Sequence, residues 1–125
     1  MDLQFSAQDV AFRDEVRTWL SENVPTGRRP RLGAELREYD LGWQRTMYQA
    51  GWGGVAGLVQ YGGRDIPLTQ QLIWYEEYAR TGMRPIDLRF VGLAHAGPTL
   101  MARATEEQRA YHLPRILRGE VVWCQ

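Results

Sequence analysis

The sequence predicts an all-α fold: a bundle of about five to six helices, with one glycine-rich loop and an orphan β-strand at the C-terminal end. Three observations carry this. Apolar residues recur at helical spacing in successive stretches. Ser or Thr caps and Gly or Pro stops bracket those stretches. Only Val121-Val122-Trp123-Cys124, β-branched and aromatic, reads as a strand.

The first helix opens at Ser6, a good N-cap, with Asp9 three residues on as a relative of the capping box. Phe5 and Val10 stand at the positions of a hydrophobic staple. Phe12, Val16, Trp19 and Leu20 then fall on one face, and Asn23-Val24-Pro25 ends the helix. The stretch from Thr26 to Gly33 reads as a solvated basic loop. A second helix is expected from about Asp40, with Trp43, Met47 and Ala50 on one face and Gly51 as its stop.

Six glycines fall between Gly51 and Gly63, which makes this stretch a loop with close backbone approach and a tight turn at Tyr61-Gly62-Gly63. Gly51, Gly53 and Ala56 match a dinucleotide fingerprint in spacing only. That motif must follow a strand and open a helix, and here it follows a helix. The third helix is expected from Pro67 to Arg80, with Leu68, Leu72, Tyr75 and Ala79 as its buried stripe. Glu76 and Glu77 are adjacent, so they point about 100° apart and cannot act as a facing catalytic pair. Glu76, nearer the stripe, is expected to pair with an Arg of a neighbouring helix. A fourth helical stretch runs from about Ile86 to Arg103 and is interrupted at Gly97-Pro98. Thr105 and Gln108 form a capping box that opens a short fifth helix to Leu113, and Pro114 begins a last turn closed by Gly119.

Composition bounds the function. At 125 residues the chain has the length of one domain, and its 44% hydrophobic and 24% charged residues are those of a globular protein. Fifteen basic residues, all Arg, balance fifteen acids, so no nucleic-acid face or polybasic membrane anchor is indicated. No apolar run reaches the roughly 18 residues of a membrane span. The N-terminus lacks a secretory pattern, and the expected location is the cytoplasm. The single cysteine, Cys124, allows no intramolecular disulfide and reads as a small apolar filler. His95 is expected to bond to a carbonyl in the core, and His112 to lie on the surface. The two histidines are not at metal-ligand spacing, so no metal site is expected.

The order of motifs resembles a known family. GWGGVAG and QYGG, then LIWYEEYAR, then HAGPTLMARATEEQRAYHLPRILRGE and VVWCQ, are similar to the N-terminal helical domain of the FAD-dependent acyl-CoA dehydrogenases. The Arg-rich, Lys-free style looks most like actinobacterial members. Departures occur at Ala104, where the family has Gly, and at Gly57-Leu58, where many relatives have Trp-Pro. The resemblance implies a helical domain over residues 1–119 and, over 120–125, the first strand of a β middle domain that the chain stops short of. It implies an α,β-desaturation of an acyl-CoA thioester, from a fatty acid or a steroid side chain, with FAD as cofactor. The catalytic glutamate of the family has no counterpart here, so no catalytic residue is expected and the isolated chain should be inactive. Gln125 aligns with the first position that touches flavin or substrate. Val91 and His95 fall on the helix that walls the acyl-chain cavity. A homo- or hetero-tetramer and an electron-transfer acceptor are the implied partners. The alternative is a non-catalytic helical module that docks onto a complete dehydrogenase subunit. A domain made to pack against others should also leave an apolar patch exposed when alone.

Overall fold

The structure is a computed structural model that describes residues 4–84 and 88–125. Among these, five α-helices are present: α1 (Ala7–Asn23), α2 (Gly33–Gln49), α3 (Leu68–Arg80), α4 (Gly97–Arg103) and α5 (Glu106–Leu117). A short 3₁₀ turn spans Val59–Tyr61, and a π-helical segment spans Val91–Ala96. The all-α expectation therefore holds, with α1 lying along α3 as the most extensive helix pairing.

Helix α1 follows its sequence signals closely. Asp9 N–H donates to Ser6 Oγ at 3.1 Å, and Asp9 accepts in return from the Ser6 backbone. Phe12, Val16 and Leu20 are buried, as the spacing requires. The staple does not form in that manner: Phe5 and Val10 are exposed, and the Arg13 guanidinium covers the Phe5 ring at 4.6 Å.

Helix α2 begins at Gly33, seven residues before the expected start. Its N-cap is Leu32, which offers no side-chain bond, so the sequence carries no cap signal there. Asp40 looks like a cap but is a buried carboxylate inside the helix, held by Nε and Nη2 of Arg29 from the preceding loop. Trp43 and Met47 are buried as expected, while Ala50 is the exposed C-cap.

The glycine-rich loop turns at Gly62, whose φ is +95°, and its N–H donates to Val59 O at 2.9 Å. At Gly63 a side chain is excluded outright, since a Cβ there would sit 2.0 Å from Gly57 O. Two loop segments thus pass in backbone contact, stitched by Asp65 N–H to Gly57 O and Arg64 N–H to Gly54 O, both at 2.9 Å.

Helix α3 spans the expected residues, but its buried face is not the expected stripe. Gln70, Ile73, Trp74 and Glu77 are buried, while Leu68, Leu72 and Tyr75 are 79%, 52% and 57% exposed. Ile73 and Trp74 join Val16, Leu20, Trp43, Met47, Trp52 and Val55 in the core. Its centre is aromatic: Trp52 stacks on Trp74 at 4.9 Å, and Trp19 on Trp43 at 5.6 Å.

Two expected breaks are absent. Pro98 stands where the π segment passes directly into α4, so the chain stays helical through it. Ile86, the expected start of this stretch, lies outside the described residues. Pro114 lies inside a continuous α5. An interior proline costs about 3 kcal/mol. Burying Leu113, Ile116 and Leu117 offsets that, at roughly 1.5–3 kcal/mol for each side chain.

The tail at 121–125 is not assigned as strand. Its residues nonetheless alternate, Val121 and Trp123 turned inward, Val122 and Cys124 exposed. A strand needs a paired edge, and here the tail is fixed by side chains instead: the Trp123 ring meets the His112 ring at 5.5 Å. His112 is accordingly half-buried rather than on the surface, and Cys124 is not an apolar filler.

Candidate functional site

The glycine-rich loop, α3, the π segment and α5 enclose a cleft of about 600 Å³. Close backbone approach in the loop forms one wall, through Gly53 to Leu58. Trp74 and Tyr78, one turn apart on α3, form a second, and Gly92, Leu93 and Ala94 a third. Leu113, Ile116 and Leu117 close the floor. The lining is overwhelmingly apolar, which suits a hydrophobic ligand.

Small residues are needed where the walls meet. A Cβ on Gly54 would lie 2.5 Å from Leu117 Cδ2, and one on Gly92 would lie 3.2 Å from Ile116 Cγ2. The π segment widens the helical turn at the cleft, a distortion that recurs at functional sites.

Polar groups enter at two places. The Tyr61 hydroxyl donates to the Glu106 carboxylate at 2.7 Å, fixing the loop to the start of α5. The Tyr78 hydroxyl accepts from Trp43 Nε1 at 3.0 Å and from Arg89 Nη2 at 2.9 Å. Sequence reasoning passed over both Tyr78 and Arg89. Their one available signal was an Arg in an otherwise apolar stretch, RFVGLA.

The residues singled out from sequence are placed as follows. Val91 is half-buried and His95 exposed, and neither lines the cleft, whereas their neighbours Gly92, Leu93 and Ala94 do. His95 does not bond to a core carbonyl. Its Nδ1 lies 3.0 Å from Gln125 Oε1, and its ring meets Phe90 edge-on at 4.9 Å. The structure thus brings His95 and Gln125 together at the end of the π segment. At the tail, the Gln125 amide oxygen is engaged by His95.

The adjacent carboxylates are structural. Glu77 is 3% exposed and accepts from Arg13 Nη1 at 2.9 Å, Arg17 Nε at 2.8 Å and Arg17 Nη2 at 3.1 Å. Glu76 accepts from Arg13 Nη2 at 2.9 Å, so one guanidinium bridges both acids. The Arg17 hydrogen bond holds the Glu77 carboxyl below the usual carboxylate range, against the opposing effect of burial. Among the described residues no group of three or more His, Cys, Asp or Glu side chains could hold a metal. No described helix is long and apolar enough to cross a membrane.

The described residues form an all-helical unit with a glycine-rich loop and an apolar cleft. Residues 6–120 match the family model for the acyl-CoA dehydrogenase N-terminal domain, and the chain belongs to that family. It is 34% identical over 121 residues to the acyl-CoA dehydrogenase IpdE1 of Mycolicibacterium smegmatis, covering 91% of this chain and 31% of that protein. It is 30% identical over 126 residues to the acyl-CoA dehydrogenase FadE26 of Mycobacterium tuberculosis, covering 97% of this chain and 31% of the relative. The chain therefore spans about a third of the length of these relatives. Among solved structures, the Tcur3481-Tcur3483 steroid ACAD superposes with a TM-score of 0.74 at 31% identity, over 98% of this chain and 32% of that one. The ChsE4-ChsE5 complex of Mycobacterium tuberculosis gives 0.73 at 25% identity, over 97% and 30%.

Proposed function

We propose that this chain acts as the N-terminal domain of an FAD-dependent acyl-CoA dehydrogenase, in the α,β-desaturation of a bulky fatty or steroid-derived acyl-CoA thioester. The apolar cleft of about 600 Å³ carries the reading. Its walls exclude water from an acyl group and supply no acid, base or nucleophile of their own. On this reading the domain orients the acyl group, and flavin and catalytic base come from outside these residues. Val91 and His95 belong to the rim of the acyl wall, and Gln125 to the start of the segment that meets flavin or substrate. Residues 120–125 would then open a β middle domain, with the extended alternation of the tail as its support. The two structural neighbours are two-protein assemblies, ChsE4-ChsE5 and Tcur3481-Tcur3483, which supports a mixed-subunit oligomer.

A chimera tests this. The first third of IpdE1 is replaced by this chain, and reduction of a dye acceptor by acyl-CoA thioesters is followed. A chimera that folds, retains FAD and turns over thioester supports the reading. One that folds and retains FAD but is inactive, where the parent is active, refutes it and favours the non-catalytic docking module.

A further inference from the structure

Helix α3 carries a second apolar face, turned away from the core. Leu68, Leu72, Tyr75 and Ala79 lie along it, and all four are exposed. Their spacing is four, three, four, the narrow seam by which one helix packs along another in a coiled coil. The inward face of α3 is already taken: Ile73 and Trp74 are in the core and Glu77 is held by α1. A contiguous apolar strip of this kind marks a surface that another molecule covers.

The seam is complementary to itself. A two-fold axis crossing α3 between Ile73 and Trp74 sets the helix antiparallel to that of a second copy. Leu72 then lies opposite the second copy's Tyr75, and Leu68 opposite its Ala79, large against small at both ends. The flanks match in charge. The Glu76 carboxylate comes beside the second copy's Gln71, whose amide gives one N–H to Ile66 O at 2.8 Å and keeps another to donate. Arg80, 66% exposed, comes beside the residues that lead into the second copy's α3, where Asp65 is exposed. Helix ends of opposite sign also lie together. A parallel pairing would instead set Glu76 against Glu76 and Arg80 against Arg80, like charge on like.

Area sets the strength. A standard interface takes about 800 Å² from each partner, about a tenth of the 8145 Å² surface of this chain. The 13 residues of α3 are about 20 Å long, and one face of them supplies less than that area. The contact is therefore weak and reversible.

We infer that the exposed face of α3 is a self-association surface, on which a second copy of this chain packs its own α3 antiparallel about a two-fold axis. Tyr75 and Ala79 also line the cleft, so each copy sets leucines against the edge of the other's cleft. This goes beyond the proposed function and does not depend on what the cleft binds.

Sedimentation velocity of the 125-residue chain, from micromolar to millimolar concentration, tests it. The chain is expected to pass from monomer to dimer and no further. Leu72→Glu and Tyr75→Arg each bring an unpaired charge into the seam twice, and each should weaken the dimer more than about tenfold. Both positions are exposed, so circular dichroism should show unchanged helix content. Mixed one to one, the two variants should pair again. One Leu72–Tyr75 contact is then intact, and at the other the introduced carboxylate faces the introduced guanidinium. A chain that stays monomeric at millimolar concentration overturns the proposal, as does a dimer that survives both variants or growth beyond two copies. Folded variants that stay apart when mixed overturn it too. A monomeric chain beside an active chimera removes this inference alone, and a dimeric chain beside an inactive chimera removes the acyl-CoA reading alone.

Discussion

Replacing Glu77 by Gln tests the best-buried electrostatic feature of the fold. The substitution keeps the shape and removes the charge that Arg13, Arg17 and the more exposed Arg80 share. Breaking a fully buried pair by neutralising one partner costs about 3–5 kcal/mol. Here the cost is smaller for two reasons. Arg17 is 51% exposed, so water recovers much of its interaction, as for a surface pair. Arg13, only 15% exposed, keeps Glu76 as a partner. The expected loss is about 2 kcal/mol, read by urea unfolding with tryptophan fluorescence. The acid dependence supplies a second check. The Glu77 carboxyl is held below its ordinary range chiefly by the Arg17 hydrogen bond. Its contribution is therefore fully present above the unfolded value of about 4.3 and is lost as pH falls through the lower folded value. The stability gap between the parent chain and Glu77→Gln should be constant above pH 6 and shrink below pH 4.3. A loss under about 0.5 kcal/mol, or a gap that does not change with pH, would refute the reasoning.

Ile73→Ala should cost about 3 kcal/mol in the same urea assay, because Ile73 is fully buried, while Leu72→Ala, one residue away and half-exposed, should be near neutral; the reverse order would mean the stripe read from spacing is the buried one after all. Gly63→Ala places a methyl against the Gly57 carbonyl, which backbone cannot yield cheaply, and thermal unfolding should show a loss of about 2–4 kcal/mol. Thr105→Ala removes the acceptor for Gln108 N–H and the reciprocal box at the start of α5, and should cost about 1 kcal/mol by urea unfolding. Leu68, Leu72 and Tyr75 leave an apolar stripe open to water, so the chain alone should associate with rising concentration in sedimentation experiments, and Leu72→Glu should return it to monomer.

Much of the helical framework was legible because its signals are local. The Ser6 and Thr105 capping boxes, the Phe12-Val16-Leu20 spacing and the positive-φ stops at Gly51 and Gly119 all work within a turn or two of sequence. What escaped depends on distant partners. The start of α2 was missed because Asp40, an apparent cap, is a carboxylate satisfied by Arg29 eleven positions away. The buried face of α3 was missed because apolar spacing cannot rank a face carrying Glu77 until Arg13 and Arg17, some sixty residues distant, are known to meet it. The Pro114 break was overruled by the burial of Leu113, Ile116 and Leu117 around it. For the site, the glycine loop and the family resemblance pointed to the right region. The Tyr78–Arg89 corner did not show, since its meaning comes from Trp43, which lies on another helix.

The two results on α3 are one result. Arg13 and Arg17 stand one turn apart on α1 and converge on Glu77, so they fix both the height and the rotation of α3 against its partner. A rotation of one residue, about 100°, would carry Glu77 away from both guanidinium groups and leave those charges to find water or other acids. An all-aliphatic contact has no such penalty and tolerates repacking. The rotation set by Glu77 turns Ile73 into the core and Trp74 and Tyr78 toward the cleft, and it leaves Leu68 and Leu72 outside. The exposed stripe is thus the geometric consequence of an arrangement that aims Tyr78 at Trp43 and Arg89. Stability alone would favour turning the leucines in, at roughly 1.5–3 kcal/mol for each side chain fully buried. The fold forgoes that gain, and what it retains in exchange is a cleft wall held at one angle by charge.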